Sequence, residues 1–187
     1  MGAILSHTLA KRWGEDALPD DDTIHFNIPG DGARKCWETI ERRAGDPHVV
    51  AISSSNLATD HILGLGRYHH ERDFTPLAIL YTEYIAFLAR AGSGPASGAE
   101  LLKRLGADAS SVTVALSTSL GNPNHIAVAK VVRHAGGDPK APKIRVFDSA
   151  LDAVADVLTG KSDVCAVTAA SAAKELDAGT MGALAVS

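Results

Sequence analysis

Ala115-Leu116-Ser117-Thr118-Ser119-Leu120-Gly121-Asn122-Pro123-Asn124-His125-Ile126-Ala127 reads as the end of a β-strand, a small polar loop and the start of a helix. Val112 to Leu116 supply the strand. Asn122 is suited to cap the helix, and Pro123 sits in the first turn, where its missing N–H costs nothing. Asn124 and His125 then fall among backbone N–H groups that have no partner within the helix. Small hydroxyl residues beside such donors make a pocket for an anionic group such as a carboxylate. Many strand-to-helix loops are equally rich in Ser, Gly and Asn without holding anything, so the loop alone leaves both readings open.

Working outward, strands and helices keep alternating. Ala3 to Gly14 reads as a helix with Ile4, Leu5, Leu9 and Trp13 on one side. Thr23 to Asn27 reads as a short strand ending at Pro29-Gly30-Asp31-Gly32, and Ala33 to Ala44 as a helix with Trp37 and Ile40 facing inward. Asp46-Pro47 breaks that helix, and Val49 to Ile52 reads as an apolar strand running into Ser53-Ser54-Ser55-Asn56. Thr75 to Ala89 is too long for one short strand and predicts two, with a bend near Glu83. After the Gly/Ser/Pro-rich stretch Ala91 to Ser97 come a helix at Gly98 to Leu105, the strand and helix (Asn124 to His134) of the opening stretch, and a strand at Lys143 to Phe147. A helix at Ser149 to Thr159, a strand at Asp163 to Val167, a short helix at Ala172 to Leu176 and a strand at Gly182 to Val186 complete the pattern.

This alternation predicts an α/β fold whose mostly parallel sheet carries helices on both faces. Ligands of such sheets sit beyond the carboxyl ends of the strands. Ser53 to Asn56, Ser117 to Ser119 and Thr168 all fall at such ends.

Composition narrows the function classes. Of the 187 residues 45% are apolar but only 5% aromatic, so the core must rest on Ala, Val, Leu and Ile. The formal net charge of −4 is spread along the chain, and no basic stripe exists to follow a nucleic-acid backbone. Cys36 and Cys165 are far apart and read as unrelated thiols, with Cys165 a small apolar core residue. His69-His70-Glu71 reads as a solvated loop, because adjacent side chains diverge and no further metal ligand follows. Gly64-Leu65-Gly66 lacks the preceding strand and third glycine of a dinucleotide site. No metal and no cofactor is expected. No apolar run is long enough to span a membrane. Met1 to Ser6 lacks a basic region followed by a long apolar stretch, so it does not read as a signal peptide.

Five motifs stand in a telling order: Asn27-Ile28-Pro29-Gly30-Asp31-Gly32, Asp73-Phe74-Thr75-Pro76, Ser117 to His125, Leu158-Thr159-Gly160-Lys161-Ser162-Asp163 and Ala183-Leu184-Ala185-Val186-Ser187. In these the chain, from about Thr23 to Ser187, resembles the substrate-binding receptors of tripartite tricarboxylate transporters, also called the Bug family. That family's counterparts are Asn-x-Pro-Gly-x-Gly, Asp-Phe-Thr-Pro, Ser-Ser-Gly-x-Gly-Ser-Pro-x-His, Leu-x-Gly-x-x-Asp and Arg-Ala-Leu-Ala-Val. The resemblance implies a two-lobed, type II periplasmic binding protein fold, with residues 1–88 in the first lobe and 89–187 in the second, residues 182–187 crossing back. It implies binding without chemistry: capture of a small organic acid, a di- or tricarboxylate or an aromatic acid, for delivery to membrane permease subunits. Carried across, the ligand contacts are Ser54, Ser55 and Asn56 from the first lobe, Ser117, Thr118, Ser119, Gly121, Asn122 and His125 from the second, and Thr168 facing the cleft.

The departures matter too. The chain is expected to be truncated at both ends, lacking the family's Gly-rich first strand and its C-terminal return segment. Edges uncovered in this way invite pairing with a second copy. The family resemblance places the protein in the periplasm, whereas the chain as written would remain cytoplasmic. Asp148-Ser149-Ala150 stands where the family often has Lys-Gly-Gly. Its carboxylate is expected to cap the following helix, and it would repel an acidic ligand or pair with an amino group on one. Two other readings are open. One is a hydrolase with Ser119 as nucleophile and His125 as base, although no Gly-x-Ser-x-Gly is present. The other is the effector-sensing domain of a regulator, although no helix-turn-helix precedes it.

Overall fold

The computed structural model describes residue 28, residues 33–80 and residues 82–187. The expected helix at Ala3 to Gly14, the strand at Thr23 to Asn27 and the Pro29 to Gly32 loop lie outside the described residues. The chain divides into two compact units, one of residues 1–52 and 69–82 and one of residues 53–68 and 83–187.

In the first unit, helix α1 (Arg34–Arg42) buries Trp37. The indole meets the Phe74 ring edge-on, with centroids 5.7 Å apart. The predicted strand at Val49 to Ile52 does not form, and Val50 is 72% exposed. Apolar content alone cannot make a strand; a neighbour must take up its backbone hydrogen bonds, and none does so among the described residues.

The second unit holds α2 (Asn56–Ile62), β1 (Ile85–Arg90), α3 (Gly98–Asp108), β2 (Thr113–Ser117), α4 (Pro123–His134), β3 (Lys143–Phe147), α5 (Ala150–Leu158), β4 (Val164–Thr168), α6 (Ala173–Asp177) and β5 (Met181–Val186). The run from Thr75 to Ala89 predicts two strands, yet among its described residues only β1 forms, and Leu77 and Ile79 are exposed. The five strands stand in the order β3-β2-β4-β1-β5. β2 pairs in parallel with β3 and β4, whereas β1 pairs antiparallel with β4 and β5. The parallel part is built from strand–helix–strand crossovers, as the alternation predicts. β1 enters from a long connection with no crossover helix, and nothing in its sequence fixes its direction.

The sheet buries both faces. Ile85, Phe87, Val114, Leu116, Val164 and Ala166 pack with α3 and α4 residues such as Leu101, Leu105, Val128 and Val132. The intervening residues Ala86, Leu88, Ala115, Cys165 and Val167 pack with Ala153, Val154 and Val157 of α5 on the other side. The two-residue alternation of a strand therefore separates two cores, and helices close each one. Cys165 is free and fully buried, and that burial pushes its thiol up to about 12, which leaves it unreactive. α3 and α5 start on polar caps: Ser97 accepts from the Glu100 amide at 3.2 Å and Ser149 from the Asp152 amide at 3.1 Å.

Helices α3 and the end of α4 approach through glycine. A Cβ built on Gly106 would stand 2.5 Å from the Ala135 carbonyl oxygen, a backbone atom that cannot swing away. Gly106→Ala is therefore expected to destabilise the fold by about 2 kcal/mol despite alanine's better helix propensity. A urea midpoint equal to or above that of the wild type would contradict this packing.

Candidate functional site

β3, β2 and β4 are neighbours and run in the same direction, so their carboxyl ends form one rim. Thr118 follows β2, Asp148 follows β3 and Thr168 ends β4. The Thr118 amide donates to the Phe147 carbonyl at 2.7 Å and ties the first two ends together. Thr118 has φ 71°, a left-handed conformation that is a genuine outlier for a β-branched residue. Such strain persists only where the surroundings enforce it, and it concentrates at functional sites.

Asn122 does the enforcing. Its side chain is buried and makes three hydrogen bonds. Nδ2 donates to the Ser117 carbonyl at 2.6 Å and to Thr118 Oγ1 at 2.8 Å, while Oδ1 accepts from the His125 amide at 2.9 Å. The last of these caps α4, as the sequence predicts, with Pro123 in the first turn. Asn124, also buried, donates from Nδ2 to Ser117 Oγ at 3.0 Å. The amide of Ser119 folds back onto the Ser117 carbonyl at 3.1 Å. The backbone N–H groups of Leu120, Asn122 and Asn124 have no hydrogen-bond partner among the described residues. Three unpaired donors thus stand at the positive end of a twelve-residue helix, on a loop with no charged side chain from Ser117 to Asn124.

His125 serves the same loop. Its Nδ1 accepts the Gly121 amide at 2.9 Å, which leaves the ring proton on Nε2. Burial holds its pKa below the ordinary histidine value. The folded state thus binds this proton less readily than the unfolded chain. Its contribution is fully present above the unfolded pKa of about 6.5 and declines as pH falls from there toward the folded value. Between pH 7.5 and pH 5.5 the urea midpoint is expected to fall more for the wild type than for His125→Gln. Equal falls would contradict this reading.

Ser54, Ser55 and Asn56 lie at the start of α2, within the same unit as the loop. Ser54 and Ser55 are exposed, and the Asn56 side-chain oxygen is buried without a partner among the described residues. The segment touches the Ser117–His125 loop through the other end of the helix: the position of a Cβ on Gly121 is already occupied by the Leu63 side chain. A seven-residue helix is about 10 Å long, so the Ser54–Asn56 turn stands that far along α2 from the contact. Gly121 itself has φ 81°, so both conformation and space require glycine there. Thr168 is half-buried and opposes Ile85 across the antiparallel pair.

Sequence reasoning passed over Leu63 and the Asn124–Ser117 bond, since nothing local marks a contact between distant segments. It also misjudged Asp148. The cap of α5 is Ser149, whose hydroxyl in turn donates to Asp152 at 2.6 Å, and the Asp148 carboxylate takes no part. Among the described residues no group of three or more His, Cys, Asp or Glu is placed to hold a metal ion, and no helix is long and apolar enough to cross a membrane.

No family model matches the chain, and no curated protein does. Solved structures do. MatC from Rhodopseudomonas palustris, determined with bound malate, superposes with a TM-score of 0.71 at 20% identity over 99% of this chain and 60% of its own. A TctC solute-binding protein from Polaromonas, without ligand, gives a TM-score of 0.66 at 26% identity over 86% of this chain and 54% of its own. The chain therefore spans 60% and 54% of the length of these two proteins. In fold over nearly its whole length, and in sequence motifs from about Thr23 onward, the chain is similar to the solute-binding receptors of the tripartite tricarboxylate transporter, or Bug, family.

Proposed function

We propose that this chain captures a small organic acid, with the ligand's carboxylate on the Ser117–His125 loop, and serves in the periplasm as the receptor of a tripartite tricarboxylate transporter. The observation that carries this reading is the set of unpaired amides at Leu120, Asn122 and Asn124 beside the strained Thr118. A carboxylate accepting two or three such bonds gains charge-assisted interactions without a cationic side chain. Ser117, Thr118, Ser119, Gly121, Asn122 and His125 are the proposed contacts on this loop, with Thr168 beside it and Ser54, Ser55 and Asn56 across α2. The bound malate in MatC supports a small organic acid as the ligand, proposed here as a di- or tricarboxylate or an aromatic acid. Handover to permease subunits is part of the same proposal.

The hydrolase reading has less support. His125 makes no hydrogen bond to Ser119, and its Nδ1 lone pair is engaged by Gly121. Ester turnover that disappears in Ser119→Ala would nevertheless overturn the receptor reading.

The test is calorimetry with malate, citrate and benzoate on the wild type and on Asn122→Leu. Saturable binding of at least one acid, lost in the variant, is expected. Affinity unchanged in Asn122→Leu would remove the loop from the site.

A further inference from the structure

The three connections that leave the rim, residues 118–122, 148–149 and 168–172, contain one charged side chain, Asp148. It is exposed, and its carboxylate makes no hydrogen bond or ion pair among the described residues. The helix end beside it is already capped by Ser149. β2 and β3 end side by side, with Ser117 opposite Phe147 and the Thr118 amide donating to the Phe147 carbonyl at 2.7 Å, so the next residue, Asp148, follows directly beside the Ser117–His125 loop. Asp148 lies in the bend between β3 and α5, at the rim itself.

A free carboxylate next to a carboxylate-binding loop has two consequences. It disfavours a ligand that brings only negative charge, and it favours one whose second group is cationic. We propose that Asp148 sets the charge preference of this site, so that the preferred ligand is an organic acid that also carries an amino group. The acid's carboxylate sits on the α4 amides and its ammonium against Asp148. This rests on the receptor reading above.

Malate and aspartate test it, because they share a carbon skeleton and differ in a hydroxyl against an ammonium group. In calorimetry the wild type is expected to bind aspartate at least tenfold more tightly than malate. Asp148→Asn, which keeps the size of an exposed side chain, is expected to weaken aspartate and tighten malate until the two affinities are within threefold. A wild-type preference for malate, or a ratio that Asp148→Asn leaves unchanged, overturns the role of Asp148 while the receptor reading stands. Binding of neither acid likewise overturns the role of Asp148, and the receptor reading falls with it if citrate and benzoate also fail to bind.

Discussion

Asn122→Ala is expected to lose about 2–3 kcal/mol of folding stability, and to lose carboxylate binding even under conditions where it remains folded. The cap on the His125 amide contributes about 1 kcal/mol of this, and the two donations from Nδ2 about 1 kcal/mol each. The Ser117 carbonyl keeps the Ser119 amide as a partner, so no buried acceptor is stranded there, which bounds the loss. Thr118, no longer held by the Asn122 amide group, is free to leave its left-handed conformation. That movement re-aims the neighbouring amides, which is why binding suffers more than stability. Asn122→Asp separates the two effects. It retains the capping oxygen, loses both donations, and sets a negative charge where the anion is to bind. Its stability should fall between the wild type and Asn122→Ala, and its affinity should be no better than that of Asn122→Ala. A stability loss below about 0.5 kcal/mol in Asn122→Ala, the range of ordinary surface changes, would contradict the role assigned to this side chain.

Leu88→Ala should cost more, about 3–4 kcal/mol in urea unfolding. Leu88 has no exposed surface and lies in β1, between β4 and β5. Its side chain fills the core shared with Val154, Val157, Cys165 and Val167. Few aromatic residues are available to move into a vacated space, and a core of short branched side chains on a five-stranded sheet collapses poorly. The cavity therefore persists and adds its own cost to the lost transfer energy. Leu151, 64% exposed on α5, is the control, and Leu151→Ala should change stability little. Equal costs at the two positions would contradict the assignment of the second core.

Much of this architecture is readable along the chain. Asn122-Pro123 announces α4, Lys143 to Phe147 coincides with β3, and the helix and strands that follow differ from expectation by a residue or two. These segments carry their own signals: caps, apolar alternation and glycine or proline punctuation. The losses occur where structure depends on distant partners. Val49 to Ile52 has strand composition but finds no strand to pair with among the described residues. β1 is buried for five residues in succession, a pattern that fixes neither its direction nor its place between β4 and β5. At the site, the capping role of Asn122 is legible, but its hold on Thr118 is not, because a left-handed threonine has no sequence signature. Asp148 shows the limit most clearly. Aspartate and serine are both good caps, and only the folded structure shows that Ser149 takes the position and leaves the carboxylate unused.

An amide-resolved NMR titration with malate examines the carboxylate loop itself. The backbone N–H resonances of Leu120, Asn122 and Asn124 are expected to move furthest downfield with saturation, as unpaired donors gain an anionic acceptor, while amides already bonded in the sheet, such as those of β4, stay nearly fixed. Saturable shifts confined to other parts of the chain, with these three amides unmoved, would contradict the proposed site.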